Sequence, residues 1–271
     1  MTACKGRVLT IAGSDSGGGA GIQADIKTIT ALGGYAASVV TAVTAQNTLG
    51  VRAIHAIPLN IIRLQMQAVL EDIGADCVKT GMLASADVIE MVCDRLNALA
   101  SGVPVVVDPV MVATSGDRLM DEGAVAVLKN RLLPMAALLT PNIPEAEILC
   151  GMKIEGLDAM REAGQALLAL GAQAVLMKGG HMGGAQVQDI LLSARGIDLF
   201  SSPRIDTRHT HGTGCTLASA IATGLAQGMV LPDAVRRARD YVHEAIRSAP
   251  RLGAGHGPLH HGHTVRDFDA F

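Results

Sequence analysis

The segment "THGTGCT" (Thr210–Thr216) is built almost entirely from small residues and stands where a helical pattern begins. Successive backbone N–H groups at such a start point toward one spot, and the helix dipole adds positive potential there. Gly212, Thr213 and Gly214 are therefore expected to form an anion hole of the kind that steadies a transferring phosphoryl group. Cys215 falls in the first turn, where the positive helix end is expected to lower a thiol pKa. The competing reading is a small cysteine that packs the helix start.

Other polar residues fall at the ends of apolar runs. Asp108 closes "VPVVVD", and a carboxylate ending so apolar a strand is hard to justify by packing alone. Lys178 ends another run and is followed by two glycines, so it can point at a phosphate. In "TPNIPEAE", Asn142 and Glu145 are three apart at a helix start. Such a carboxylate can reach a hydrated Mg²⁺, or it can simply complement the helix dipole. Gln46 follows "VVTAVTA", and its amide both donates and accepts, as reading the edge of an aminopyrimidine ring requires. Asn47 suits an ordinary turn. Met82 and Met111 lie at strand ends and can line a pocket, whereas Met66 and Met91 read as core filler.

The stretch "VLTIAGSDSGGGAGIQADIKT" (Val8–Thr28) carries five glycines between a strand and a helix. It fails the P-loop test, because Gly13 and Gly18 are correctly spaced but Gly19 stands where lysine belongs. It fails the dinucleotide test, because Gly17 and Gly19 fit but Ile22 holds the last position. Its glycines are expected to let a flat ligand approach the backbone.

The elements that must position these groups follow from alternating patterns. Strands are predicted at Val8–Ala12, Ser38–Val43, Cys77–Lys79, Val103–Val107, Ala137–Leu139 and Ala174–Met177, with strand-like runs at Val187–Ser193 and Ile197–Phe200. Helices are predicted at Gly21–Leu32, Leu59–Glu71, from the Ser85 cap to Leu99, near Glu122–Leu133, at Leu157–Leu170, Gly214–Gln227 and Pro232–Arg247. This alternation implies right-handed βαβ units and a mostly parallel sheet with helices on both faces. Ligands then bind beyond the carboxyl ends of the strands, where these motifs fall. One domain over 1–271 is expected.

Composition narrows the function. A net charge of −3 and the absence of Trp, with two Tyr and three Phe, argue against a nucleic-acid binder. Five cysteines without a CxxC pair give no zinc or thioredoxin-like site and suit a reducing compartment. With no leader pattern and no run long enough for a membrane span, a cytoplasmic protein is expected. The tail "GHGPLHHGH" (Gly255–His263) lacks metalloprotease spacing and reads as a polar terminus.

Together, "AGSDSGGGAGIQADIKT", "TAVTAQNT", "KTGML", "DPVM", "SGDRL", "LLTPNIPEAE", "KGGH" and "PRIDTRHTHGTGCT" resemble the bacterial hydroxymethylpyrimidine/phosphomethylpyrimidine kinases of thiamin biosynthesis, over about residues 8–261. The resemblance implies a ribokinase-like α/β fold and two ATP-dependent phosphorylations, first of 4-amino-5-hydroxymethyl-2-methylpyrimidine and then of its monophosphate. It implies that Gln46 reads the pyrimidine, with Gly13, Ala20, Thr44, Met82 and Val110 around the substrate. It places Lys178, Asn142 and Thr210 on the nucleotide, Glu145 with Asp108 on Mg²⁺, and Cys215 where sugar-kinase relatives carry a catalytic aspartate. A homodimer is also implied. Thr114 stands where a lysine is expected and Thr80 where an apolar residue is. The rivals are a pyridoxine or pyridoxal kinase on the same fold, a sugar kinase and a non-catalytic pyrimidine-binding protein. Cys215 counts against the sugar kinase, and intact Lys178 and Glu145 count against lost catalysis.

Overall fold

Strand β1 (Arg7–Asp15) is buried on both faces from Val8 to Gly13, which is the pattern of a central parallel strand. In the computed structural model, which describes residues 5–111, 120 and 122–265, it lies within a nine-stranded sheet. The strands are β2 (Tyr35–Asn47), β3 (Gly50–Ala56), β4 (Cys77–Thr80), β5 (Val105–Val107), β6 (Ala136–Leu139), β7 (Ala174–Met177), β8 (Gln186–Ser193) and β9 (Gly196–Pro203). Their order is β3-β2-β1-β4-β5-β6-β7-β8-β9, and the six strands from β2 to β7 in that order run parallel. Antiparallel pairs close both ends.

Helices α1 (Gly21–Ala31), α7 (Thr213–Ala226) and α8 (Leu231–Arg247) cover one face, over a core that includes Val8, Val106, Leu138 and Ile221. Helices α2 (Leu59–Asp72), α3 (Ala86–Leu99), α4 (Glu122–Val127), α5 (Ile143–Cys150) and α6 (Leu157–Ala169) cover the other, over Leu9, Val78, Val107 and Leu139. Alternate residues of one strand thus feed opposite cores, because a strand's side chains point alternately up and down. The Ser85 cap is confirmed: its hydroxyl accepts from Val88 N at 3.3 Å.

Three expectations are corrected. Strand β2 runs on to Asn47, so Gln46 and Asn47 end a strand, paired with Val51 and Gly50 of the unforeseen β3. Strand β5 begins at Val105, after Pro104. The helix expected to reach Leu133 is α4 only to Val127; a π-helical turn (Leu128–Leu132) and a 3₁₀ turn (Leu133–Met135) follow it, the latter containing Pro134, which has no N–H to carry an α-helix on. Thr114 and "SGDRL" lie outside the described residues.

The order in which successive strands are added reverses between β1 and β4, the kind of switch point where an open α/β sheet leaves a crevice. Beyond the strands a staircase of backbone bonds aligns the loops: Gly81 N to Ile11 O, Asp108 N to Thr80 O, Thr140 N to Val107 O and Lys178 N to Pro141 O, each 2.9–3.0 Å. Below it lies a wholly buried ion pair, Lys79 Nζ to Asp25 Oδ1 at 2.9 Å, with the Thr10 and Ser219 hydroxyls donating to the same carboxylate. Lys79 of "KTGM" therefore ties β4 to α1.

Candidate active site

A cleft of about 580 Å³ opens at this sheet edge. The candidates from the sequence line it, namely Gly212, Thr213, Gly214 and Cys215; Gln46, Gly13, Ala20, Thr44, Met82 and Val110; Lys178, Asn142 and Thr210; Glu145 and Asp108, except that Met111, expected with Met82 at a pocket, is buried in the core instead.

One end of the cleft is built around Asp15, which the sequence reading passed over as one polar residue in a glycine run. Its carboxylate is 3% exposed. It accepts from Gly17 N at 2.8 Å, Gly19 N at 3.1 Å, Ala20 N at 2.9 Å and His211 Nε2 at 2.8 Å. Burial opposes its ionisation, but the His211 hydrogen bond and the Ala20 and Gly17 amides outweigh that and hold the carboxyl below its ordinary range. The amides of the first glycine loop are thus turned inward onto the chain's own anion. Gly13 leaves room for Met82, whose Cε lies 2.5 Å from where a Cβ would stand.

The two glycine motifs touch. Gly212 has φ +86°, and a Cβ on it would fall inside the Gly19 carbonyl oxygen. As the N-cap of α7 it offers no side chain to the first-turn amides. The N–H groups of Gly214 and Cys215 therefore remain for a ligand, the orphan donors common to helix starts.

Behind Gly214 stand the charged groups. Its Cβ position is 3.2 Å from Lys178 Nζ and 3.8 Å from Asp108 Oδ2. Lys178 Nζ donates to Asp108 Oδ1 at 3.0 Å, and Thr140 Oγ1 donates to the same oxygen at 3.3 Å. Burial works against the Lys178 charge, but Asp108 and Glu145 more than offset it and raise its pKa. Asn142 and Glu145 form a capping box, with Glu145 N to Asn142 Oδ1 at 2.9 Å and Asn142 N to Glu145 Oε2 at 2.8 Å. The helix-start reading of Glu145 is therefore realised, yet the side chain is 4% exposed and lines the cleft. Burial first, and Asp108 next among the opposing charges, push it up to about 7 against the pull of Lys178. Asp108 is ion-paired with the Lys178 ammonium, and the buried Glu145 carboxylate lies within reach of its field. That donor set fits Mg²⁺, which takes one or two carboxylates and keeps its other positions for water and phosphate. No group of three metal-ligating side chains occurs among the described residues.

The expected low-pKa thiol is corrected. Cys215 is pushed up to about 11: burial dominates, Lys79 pulls the other way, and Asp108 and Asp25 add to the rise. Burial first, and then two carboxylates from distant parts of the chain, overcome the helix end.

The far end of the cleft is lined by Arg204, Ile205, Val242, His243 and Ile246, none of which the sequence reading chose. Asp189 anchors it. Its carboxylate is ion-paired with Arg239 and accepts from Gly179 N at 2.8 Å, fixing the backbone next to Lys178.

This arrangement is that of a ribokinase-like kinase: a ring-sized cleft at the switch point, leading to an uncapped helix start over a buried lysine and two carboxylates. The family model described as "Phosphomethylpyrimidine kinase" matches residues 15–260. The chain is 49% identical over 255 residues to the hydroxymethylpyrimidine/phosphomethylpyrimidine kinase of Streptomyces coelicolor, covering 94% of each. It is 56% identical over 266 residues to the thiamine biosynthesis bifunctional protein ThiED of Geobacter sulfurreducens, covering 97% of this chain but 54% of that one. The solved structure of Staphylococcus aureus pyridoxal kinase in complex with pyridoxal superposes with a TM-score of 0.89 at 32% identity, covering 97% of this chain and 95% of that one. The chain belongs to the phosphomethylpyrimidine kinase family.

Proposed function

We infer that this chain uses ATP to phosphorylate 4-amino-5-hydroxymethyl-2-methylpyrimidine and then phosphorylates the monophosphate to the diphosphate, as a step of thiamin biosynthesis. The observation that carries this is one continuous cleft joining Gln46 and Thr44 to the amides of α7 and the Lys178–Asp108 pair.

Gln46, Ala20, Met82 and Val110 hold the ring, and Gly13 keeps the approach flat. The first-turn amides of α7 and the Lys178 ammonium receive the negative charge of the moving phosphoryl group. Glu145 and Asp108 are the groups to hold Mg²⁺, which when bound neutralises phosphate charge. Asn142 and Thr210 lie on the nucleotide side, and the cleft beyond Arg204 and Ile246 accommodates the base.

The first acceptor is an alcohol, whose proton must leave as its oxygen attacks. Cys215, beside the anion hole, is our candidate to take it, through the small thiolate fraction that a thiol near 11 keeps at neutral pH. The second acceptor is a phosphate monoester, already anionic because its second pKa is about 6, and it needs charge neutralisation without a base.

An exposed edge also supports the expected homodimer. Among the described residues strand β3 is unpaired on its outer side, and Ile54 of β3 and Val43 of β2 are exposed near it. A monomer mass in solution at micromolar concentration would remove that reading.

The test is ATP consumption with the pyrimidine alcohol, its monophosphate, pyridoxal and ribose as separate acceptors. Turnover of both pyrimidines supports the proposal. Pyridoxal as the better acceptor would assign the chain instead to the chemistry of its pyridoxal-bound structural neighbour.

A further inference from the structure

The contact between Asp15 and His211 has a consequence two residues further along the hydrogen-bond chain. His211 Nε2 lies 2.8 Å from Asp15 Oδ2, and a carboxylate tolerates a ring nitrogen at that separation only with a proton between them. His211 Nε2 is therefore a donor in the neutral ring and in the imidazolium alike. The same nitrogen lies 3.4 Å from the Gln46 side-chain amide.

With Gln46 Nε2 toward His211 and Oε1 3.2 Å from Thr44 Oγ1, two N–H groups face each other. The two ends of an amide are nearly isosteric, so hydrogen-bond matching decides its polarity. Turning the amide puts Oε1 beside the His211 N–H, which it shares with Asp15 as the longer arm of a three-centre bond, and Nε2 on the Thr44 hydroxyl. Thr44 can accept there, because its own proton goes to the Ser14 carbonyl at 3.0 Å. Every donor from Asp15 to Ser14 then has an acceptor. One N–H and one lone pair of Gln46 remain for a ligand.

We propose that His211 is a specificity-determining residue: by holding the Gln46 amide in one polarity, it selects a ring with an amino donor beside a ring-nitrogen acceptor over one with two neighbouring oxygens. This rests on the reading of Gln46 as the ring-binding residue. An aminopyrimidine alcohol presents its 4-amino group next to N3, so it pairs with both free positions of the locked amide. Pyridoxal presents an aldehyde oxygen next to its 3-oxygen and satisfies only one. A site whose polar groups are fixed rejects the ring that leaves one unpaired.

The experiment is His211→Phe, which keeps ring bulk under Gly19, where His211 Cδ2 lies 2.5 Å from the position of a Cβ, but removes the donor. Specificity, kcat/KM, is measured for the aminopyrimidine alcohol and for pyridoxal; where pyridoxal turns over too slowly, its inhibition constant replaces the rate. The aminopyrimidine value should fall roughly tenfold or more while pyridoxal holds or improves. His211→Gln, which returns an N–H, should recover much of the difference. Thr44→Val removes the anchor at the other end of the amide and should shift the ratio in the same direction, so the inference stays testable if His211→Phe does not fold. Equal losses for both rings, or an unchanged ratio, overturn it. Wild-type protein that phosphorylates pyridoxal but not the aminopyrimidine would sink the functional reading instead.

Discussion

Gly212→Ala probes the joint between the two glycine motifs. At φ +86° an added side chain costs about 1–2 kcal/mol from backbone strain alone. The new Cβ would also overlap the Gly19 carbonyl, so the first loop must retreat. Retreat pulls Gly19 N and Ala20 N off Asp15, now at 3.1 and 2.9 Å. Two such hydrogen bonds are worth about 1 kcal/mol each, which brings the loss to about 3–4 kcal/mol. At roughly 2–4 °C per kcal/mol, Tm should fall by about 6–16 °C. The structure supplies its own control. Gly102 has φ +83° with nothing within 4 Å of its Cβ position, so Gly102→Ala carries the strain without the overlap. Calorimetry of both variants isolates the clash. Displaced α7 amides should also cost kcat about 10²–10³ for both phosphoryl acceptors, with Gly102→Ala active. If Gly212→Ala melts with Gly102→Ala and keeps its activity, the two motifs do not brace each other.

Cys215→Ser should lower kcat for the pyrimidine alcohol by about 10²–10⁴ and for the monophosphate far less, and with the thiol near 11 the wild-type alcohol rate should climb between pH 7 and 9; equal losses on the two acceptors would point to a disturbed anion hole. Gln46→Ala should raise KM for the pyrimidine by roughly 5- to 150-fold, and unchanged kinetics would end its assignment. Glu145→Gln should need more Mg²⁺ for half-maximal rate, and a titration overlaying wild type would leave the carboxylate as a helix cap only. Asp15 titrates lower when folded than when unfolded, so its stabilisation is present at neutral pH and lost as pH falls through the folded value; the Tm gap between wild type and Asp15→Asn should close below about pH 4.

The placement of the site was legible because a parallel α/β sheet brings strand ends to one edge, so residues read singly at Asp108, Lys178 and Gln46 had to meet. What escaped was pairwise. Asp15 and His211 each looked like filler between glycines, and only their contact, 196 residues apart in sequence, reveals a role. The Cys215 thiol escapes for the same reason: its local sequence shows a helix start, while its burial and the approach of Asp108 and Asp25 arise only in the fold. Strand β3 did carry a signal, since "VRAIHA" roughly alternates, but exposure of Arg52 through Ala56 gives it little apolar weight.

The bridge between His211 and Pro258, with His256 N donating to Thr48 O at 2.9 Å, lays residues 256–258 across the β2–β3 turn and against Gly19 of the first glycine loop. A chain growing from its N-terminus has made Asp15 long before its partner at 211 or the brace at 258 exists. Helices and neighbouring strands can assemble during synthesis, since their contacts are close in sequence. The ring pocket cannot, because its closure spans nearly the whole polypeptide. A nascent or prematurely terminated chain can thus hold much of the sheet yet have no finished catalytic centre, and kinase activity should appear only once the chain to about residue 258 has emerged.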